Sequence, residues 1–233
     1  WSRDSIVIGE TIALQVYPER GSGRTYGVLQ SLEKQDGTVL MQVARGSEST
    51  EKTVDLNGVW KSRVVPGSPI EPLSSLYEGF TELSQTEKGQ QAISLYDNHA
   101  DNPTAQCIGY SVLVTLASPH YLNEIEVLDD RVVIRNEWFD SERVIYTDGR
   151  AHPANGERSI QGHSTGEWEA GTLTVDTTLF AEHRSPYGTG LPSGLDKHVV
   201  ERFRLNEDQT SLSIDVSMDD PEYLSQPFSG SLD

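Results

Sequence analysis

Apolar and polar residues alternate along much of the chain with a period of two, the pattern of strands that turn one face to a core and the other to water. In Ser211 to Met218 the apolar set is Leu212, Ile214, Val216 and Met218, with Ser211, Ser213, Asp215 and Ser217 opposite. From Tyr110 onward such runs recur at short intervals: YSVLVTL, LNEIEVL, RVVIRNEWF, ERVIY, GEWE, TLTVDTTLF, KHVVERFRL and SLSIDVSM, separated by the turn-forming strings DD, DGR, EAG and NEDQT. This cadence predicts a mainly β fold, an antiparallel β-barrel of lipocalin-like form or a sandwich, built from hairpins. Three further runs, Ile6 to Tyr17, Arg24 to Leu32 and Thr38 to Ala44, broken by ERGSG and QDG, predict a small N-terminal β meander. The spacing of Leu83, Ala92, Ile93 and Tyr96, with Ser84 or Thr86 as cap, predicts one short helix over 83–96.

These elements suggest three parts: a β module over 1–50, an extended connector with the helix over 51–110, carrying Pro66, Pro69 and Pro72, and a main β domain over 111–233. A chain of 233 residues can bury a sizeable core without crosslinks, and the single cysteine, Cys107, allows neither an intrachain disulfide nor a CxxC metal pair. Thirty-six acidic against eighteen basic residues give a formal charge of -18, which repels phosphate backbones and anionic lipid surfaces and argues against nucleic-acid binding. No apolar run approaches the roughly 18 residues needed to span a bilayer as a helix, so membrane insertion is not expected. The chain opens at Trp1 rather than methionine, which fits a processed chain.

Residues with chemical potential concentrate between Tyr146 and Arg204. GHSTG, Gly162 to Gly166, has the form of a nucleophile elbow around Ser164, and Asp176 and His198 follow in the order of an α/β-hydrolase. The elbow, however, requires a strand entering and a helix leaving the turn, whereas EWEAGTLTVD continues as a hairpin. No two of the six histidines have HxH or HExxH spacing, so no metal ligand set is expected from one element; a metal site assembled from separate strands ranks below histidines that simply bond backbone or carboxylate groups. Tyr146, Arg150, His152, His163, Glu167, Asp176, His198 and Glu201 suit an acid–base constellation if their strands are neighbours. Alternation puts Glu201 on the core face with Val199 and Phe203, where a carboxylate needs a partner; a buried structural network of Tyr146, Glu201 and Arg202 is the competing expectation. Trp138 and Trp168 fall mid-strand, where they fill a core or line a ligand cavity. The Gly-, Ser- and Pro-rich stretch from Phe180 to Lys197 is long for a hairpin, and loops of this length are often lids or disordered; a lid would bring His183, Arg184 and Tyr187 to a pocket mouth.

The strings RVIYTDGRAHP, GHSTGEWEAGTLTVDTTLF, KHVVERFRLNEDQTSL and DDPEYLSQP, in that order, resemble a large bacterial family of exported proteins with the pattern YxDGRxHP, GHSxGxWEGDTLxVDT and HxVERF. DLNGVW, the TEKGQQAISLYDNHADNPTAQC segment and FDSERVIY are similar to it as well, so the resemblance covers about residues 55 to 228. It implies a periplasmic or secreted protein with a β-barrel or lipocalin-like body, and brings no established reaction. Here EAGT stands where the family has EGDT, with Ala170 and Gly171 in place of Gly and Asp.

The leading expectation is a cofactor-independent enzyme of lyase, isomerase, hydratase or cyclase type, acting on a small apolar or amphipathic molecule inside the barrel. His163 or His198 would be the base, Tyr146 and Arg150 would donate to developing oxyanion charge, and Glu201 or Asp176 would orient the imidazole. A non-catalytic lipocalin-like binding protein and a serine hydrolase using Ser164 remain the alternatives.

Overall fold

The computed structural model describes residues 6–18, 27–41, 52–63, 75–80 and 82–232. The ERGSG string and the proline-bearing stretch from Pro66 to Pro72 lie outside the described residues. The chain divides into two compact units, residues 1–50 and 51–233.

In the first unit, β1 (Ile12–Pro18), β2 (Gly27–Lys34) and β3 (Val39–Met41) form an antiparallel sheet in chain order. The β2–β3 turn contains Gly37 at φ +84°, a conformation that suits glycine, and Asp36 caps it by accepting a bond from the Thr38 N–H at 2.8 Å.

The second unit is a curled nine-stranded sheet that forms a half-barrel. It comprises β4 (Gly58–Trp60), β5 (Asn123–Val127), β6 (Arg131–Asn136), β7 (Ser141–Tyr146), β8 (His163–Glu169), β9 (Thr172–Thr178), β10 (His198–Leu205), β11 (Leu212–Asp219) and β12 (Phe228–Leu232), each beside its chain neighbour. The expected hairpin cadence is thus realised as a meander whose end strands, β4 and β12, have no ladder between them among the described residues. β4 falls in the segment expected to be a connector; it pairs with β5 and belongs to the main sheet. One pair departs from the hairpin pattern: β7 and β8 are parallel and share a ladder of only two residue pairs, Ile145 with Ser164 and Tyr146 with Thr165. The segment between them, 147–162, crosses over without a helix, so the sheet splays open beside Ser141–Val144.

The inner face is filled by side chains. Ile125, Val132, Ile134, Ile145, Leu173, Val175, Val199, Phe203, Ile214, Val216 and Met218 pack with α1 (Ser75–Phe80) and α3 (Val112–Ala117) in one core. Every residue of α3 is buried, and Asn136 on β6 donates to the Thr115 carbonyl at 3.1 Å. YSVLVTL was expected to be a strand; it is the start of this helix, because a short run apolar on all sides carries no period to tell strand from buried helix. The gap between α3 and β6–β7 holds about 10 Å³, room for one water at most. The expected helix forms as α2 (Glu87–Ser94), and its cap is Thr86, whose hydroxyl accepts the Gly89 N–H at 3.1 Å.

Candidate functional site

Strand register divides the expected site residues between the two faces of the sheet. Tyr146 stands opposite Thr165, Thr165 opposite Asp176 and Asp176 opposite Val200, so these residues, with His163 and His198, share the outer face. Ile145, Ser164, Thr177, Val199 and Glu201 share the inner one.

On the outer face a chain of side-chain contacts centres on Asp176. Its Oδ2 lies 2.7 Å from His198 Nε2 and its Oδ1 lies 2.9 Å from His152 Nε2. The crossover delivers His152, whose Nδ1 is in turn 2.8 Å from His163 Nδ1. A carboxylate only accepts hydrogen bonds, so both Nε2 atoms facing Asp176 carry the proton. When His152 is neutral, its Nδ1 offers a lone pair to which His163 donates from Nδ1, and His163 Nε2 is left with its lone pair free of this chain. Thr165 Oγ1, 3.3 Å from His152 Nε2, helps hold the middle ring. Burial, reinforced by the neighbouring His152 and Arg150, lowers the His163 pKa from its ordinary value and keeps the imidazole neutral.

Tyr146 stacks on His163 with ring centroids 5.4 Å apart, and the Arg150 guanidinium lies 3.8 Å from the Tyr146 ring centre on top of it. Arg150 Nε bonds both oxygens of Asp148, at 2.9 and 3.0 Å, which commits one edge of the guanidinium to that carboxylate. That pairing holds the Asp148 carboxyl below the usual range and the guanidinium above its own. Arg150 therefore acts as a clamp on Tyr146.

His163 and Tyr146 border an open recess of about 340 Å³, located where β7 and the 159–163 segment diverge. Val144 and Ile160 supply apolar wall, Gln161 and Glu142 polar wall, and Arg143 also lines it.

The inner face carries a different network. Arg143, 5% exposed, meets the fully buried Glu201 through Nη1–Oε1 at 3.0 Å and through a closer Nη2–Oε2 contact. Its Nε donates to Ser164 Oγ at 3.0 Å and its Nη2 to Thr177 Oγ1 at 2.8 Å. Glu201 thus has the partner its core position demands, but it is not the expected orienter of an imidazole: the backbone of the sheet separates it from the histidines. Neither is its partner Tyr146 or the exposed Arg202. Ser164 is buried within a strand and bonded to Arg143 and Thr177, with no helix after it, which is not the setting of a nucleophile elbow.

Other expected residues lie elsewhere. Glu167 and Trp168 are exposed towards the far end of β8. Trp138 lies in a short 3-10 turn rather than mid-strand, packed by Tyr110, Tyr121 and Phe139. Phe180 to Lys197 packs closely rather than forming a lid over the recess: Tyr187 is buried with its hydroxyl 2.8 Å from the Met218 sulfur, and His183 is buried with neither ring nitrogen hydrogen-bonded. Burial and the nearby Lys197 push His183 down to about 4. Sequence reasoning missed Arg143, although it shares the parity of the core-facing Ile145 in SERVIY, the same signal that singled out Glu201. Among the described residues, no three His, Cys, Asp or Glu side chains converge in a way that would hold a metal ion. In comparison with known proteins, no family model matches the chain and no curated protein is similar to it.

Proposed function

We propose that the protein is an enzyme of lyase or isomerase type that moves protons without a redox cofactor, using His163 as the base on a small molecule held in the recess beside β7. The observation that carries this is the Asp176–His152–His163 chain ending at the recess. A carboxylate orients one imidazole, which fixes the tautomer of the next, and the terminal ring is kept neutral by its surroundings. The recess is of a size that takes a small ligand. Because the interior of the half-barrel is packed, the substrate is placed on the outer side of the sheet and not inside it. The motif resemblance supports a periplasmic or secreted setting for this chemistry.

A generic base-elimination probe tests the assignment. In 5-nitrobenzisoxazole a base removes the ring C–H proton as the N–O bond breaks, and the electron pair of that bond leaves on oxygen as a coloured cyanophenolate. The protein is expected to accelerate this above buffer, and His163→Ala to lower the rate by about 10²-fold. Asp176→Asn, which disturbs the tautomer two rings away, lowers the rate in the same direction. The base must be unprotonated, so the rate rises with pH to a plateau, with its midpoint below the ordinary histidine value. A His163→Ala protein as fast as the wild type ends the proposal.

A further inference from the structure

The contact between His152 and His163 joins two like atoms. Nδ1 faces Nδ1 at 2.8 Å, where two bare lone pairs would repel, two protons would clash, and a single proton makes a hydrogen bond. The bridge therefore carries one proton whether the pair is neutral or singly charged, on one ring or the other. The far nitrogen of His152 is settled too, since Nε2 faces Asp176 Oδ1 at 2.9 Å and keeps its proton. What remains is His163 Nε2, the atom of the pair that can gain or lose a proton without breaking either contact.

A positive charge on the pair has two seats, and their surroundings differ. His152 has the Asp176 carboxylate against it from β9 and the Thr165 hydroxyl at 3.3 Å from β8. His198, on β10, holds the other oxygen of the same carboxylate at 2.7 Å. His163 has the Tyr146 ring of β7 stacked on it, and the Arg150 guanidinium, paired with Asp148, lies against that ring. A carboxylate in contact favours a cation, whereas burial and the nearby Arg150 disfavour one on His163. The seat beside Asp176 is the better one.

Resting on the reading of His163 as base, we propose that the two rings act as a relay, in which His152 receives the positive charge when His163 takes a proton. The lone pair of His163 Nε2 forms the new N–H bond. The Nδ1–H bond of His163 breaks and leaves its electron pair on that nitrogen, while the lone pair of His152 Nδ1 takes the bridging proton. His163 ends neutral with its proton on Nε2, and His152 ends as an imidazolium held by Asp176. Protons and charge balance within the pair and its substrate, with no further reactant. His163 Nε2 is thereby converted from acceptor to donor, so the atom that removes a proton from carbon next presents it to another carbon or to a leaving oxygen.

Nitrogen NMR of the full chain carrying isotope-labelled histidine tests this without a substrate, because protonated and bare ring nitrogens resonate far apart. The two rings are identified by signals lost in His152→Asn and His163→Ala or, should a variant fail to fold, by through-bond correlation to their own backbone amides. On acidification, His163 is expected to change from the Nδ1–H to the Nε2–H tautomer as His152 becomes doubly protonated. A doubly protonated His163 beside a neutral His152 overturns the relay. The same exchange of roles is expected in His198→Gln, which keeps an N–H for Asp176 but cannot become charged; its loss there overturns the assignment of the charge to His152.

The benzisoxazole rate profile gives a second readout. His152→Asn keeps an acceptor where Nδ1 stood, and with it the His163 tautomer, but takes up no proton. If charge prefers His152 by about tenfold, the midpoint of the profile falls by about one pH unit in this variant. A His152 that acted only as a neighbouring positive charge would hold the His163 value down, so a midpoint that rises or stays in place overturns the relay. Turnover that depends on His163, with the imidazolium on His163, overturns the relay and leaves the base standing. The tautomer change without any turnover keeps the relay as a property of the pair and removes the base.

Discussion

A single buried lysine illustrates how much one side chain sets the response of this protein to pH. Lys197 is 1% exposed; its Nζ lies 3.2 Å from Ser111 Oγ and 4.2 and 4.9 Å from the ring centres of Phe180 and Tyr187. Burial brings its pKa down to about 7, against the opposing pull of Asp220 and Glu201 and with some help from Arg143. Between about pH 7 and the ordinary lysine value, the unfolded chain holds a proton that the folded chain has released, so stability rises with pH across that window. Urea unfolding at pH 7 and pH 9 is expected to show this rise in the wild type and to lose it in Lys197→Met. Of the proposed site, alternation made visible the face of Glu201 and the opposite face of His198, because a strand that borders a core fixes parity. It did not reveal that Asp176 bonds both His152 and His198, since that depends on register between strands and on where a crossover returns. The pairing of Arg150 was missed for a local reason: its partner Asp148 is two residues away, and the DGR turn folds the two side chains together.

Among the elements, the short parallel join between β7 and β8 decides where the recess forms. Parallel neighbours need a crossover, and this one brings in His152 and then re-enters the sheet through Gly162 at φ +71°. A Cβ at that position would stand 2.7 Å from both Thr177 Cγ2 and the Thr178 carbonyl oxygen. Gly162→Ala is therefore expected to cost about 1–3 kcal/mol in urea unfolding and to depress benzisoxazole turnover, because His163 is the next residue. The hairpin strands were legible because each borders a core on one face only. α3 was not: Val112, Leu113, Val114, Leu116 and Ala117 are all buried, and a uniformly apolar run written with β-branched residues reads as a strand until its neighbours are known. α2 was legible through Thr86, whose capping role is local.

At the scale of the whole molecule, the half-barrel has its own core, drawn wholly from residues of the second unit. A protein comprising residues 51–233 is expected to unfold cooperatively and to keep the His163-dependent benzisoxazole reaction, as followed by circular dichroism and absorbance. Loss of cooperative unfolding on removing residues 1–50 would contradict that independence. Within this unit the backbone alone ties the strands up to β7 to those from β8 onward by two residue pairs. Arg143 spans that seam, reaching from β7 to Ser164 on β8, Thr177 on β9 and Glu201 on β10. The guanidinium is thus a cross-tie between two halves of a sheet, and cutting it is expected to let amide protons on its two sides exchange with solvent at separate rates.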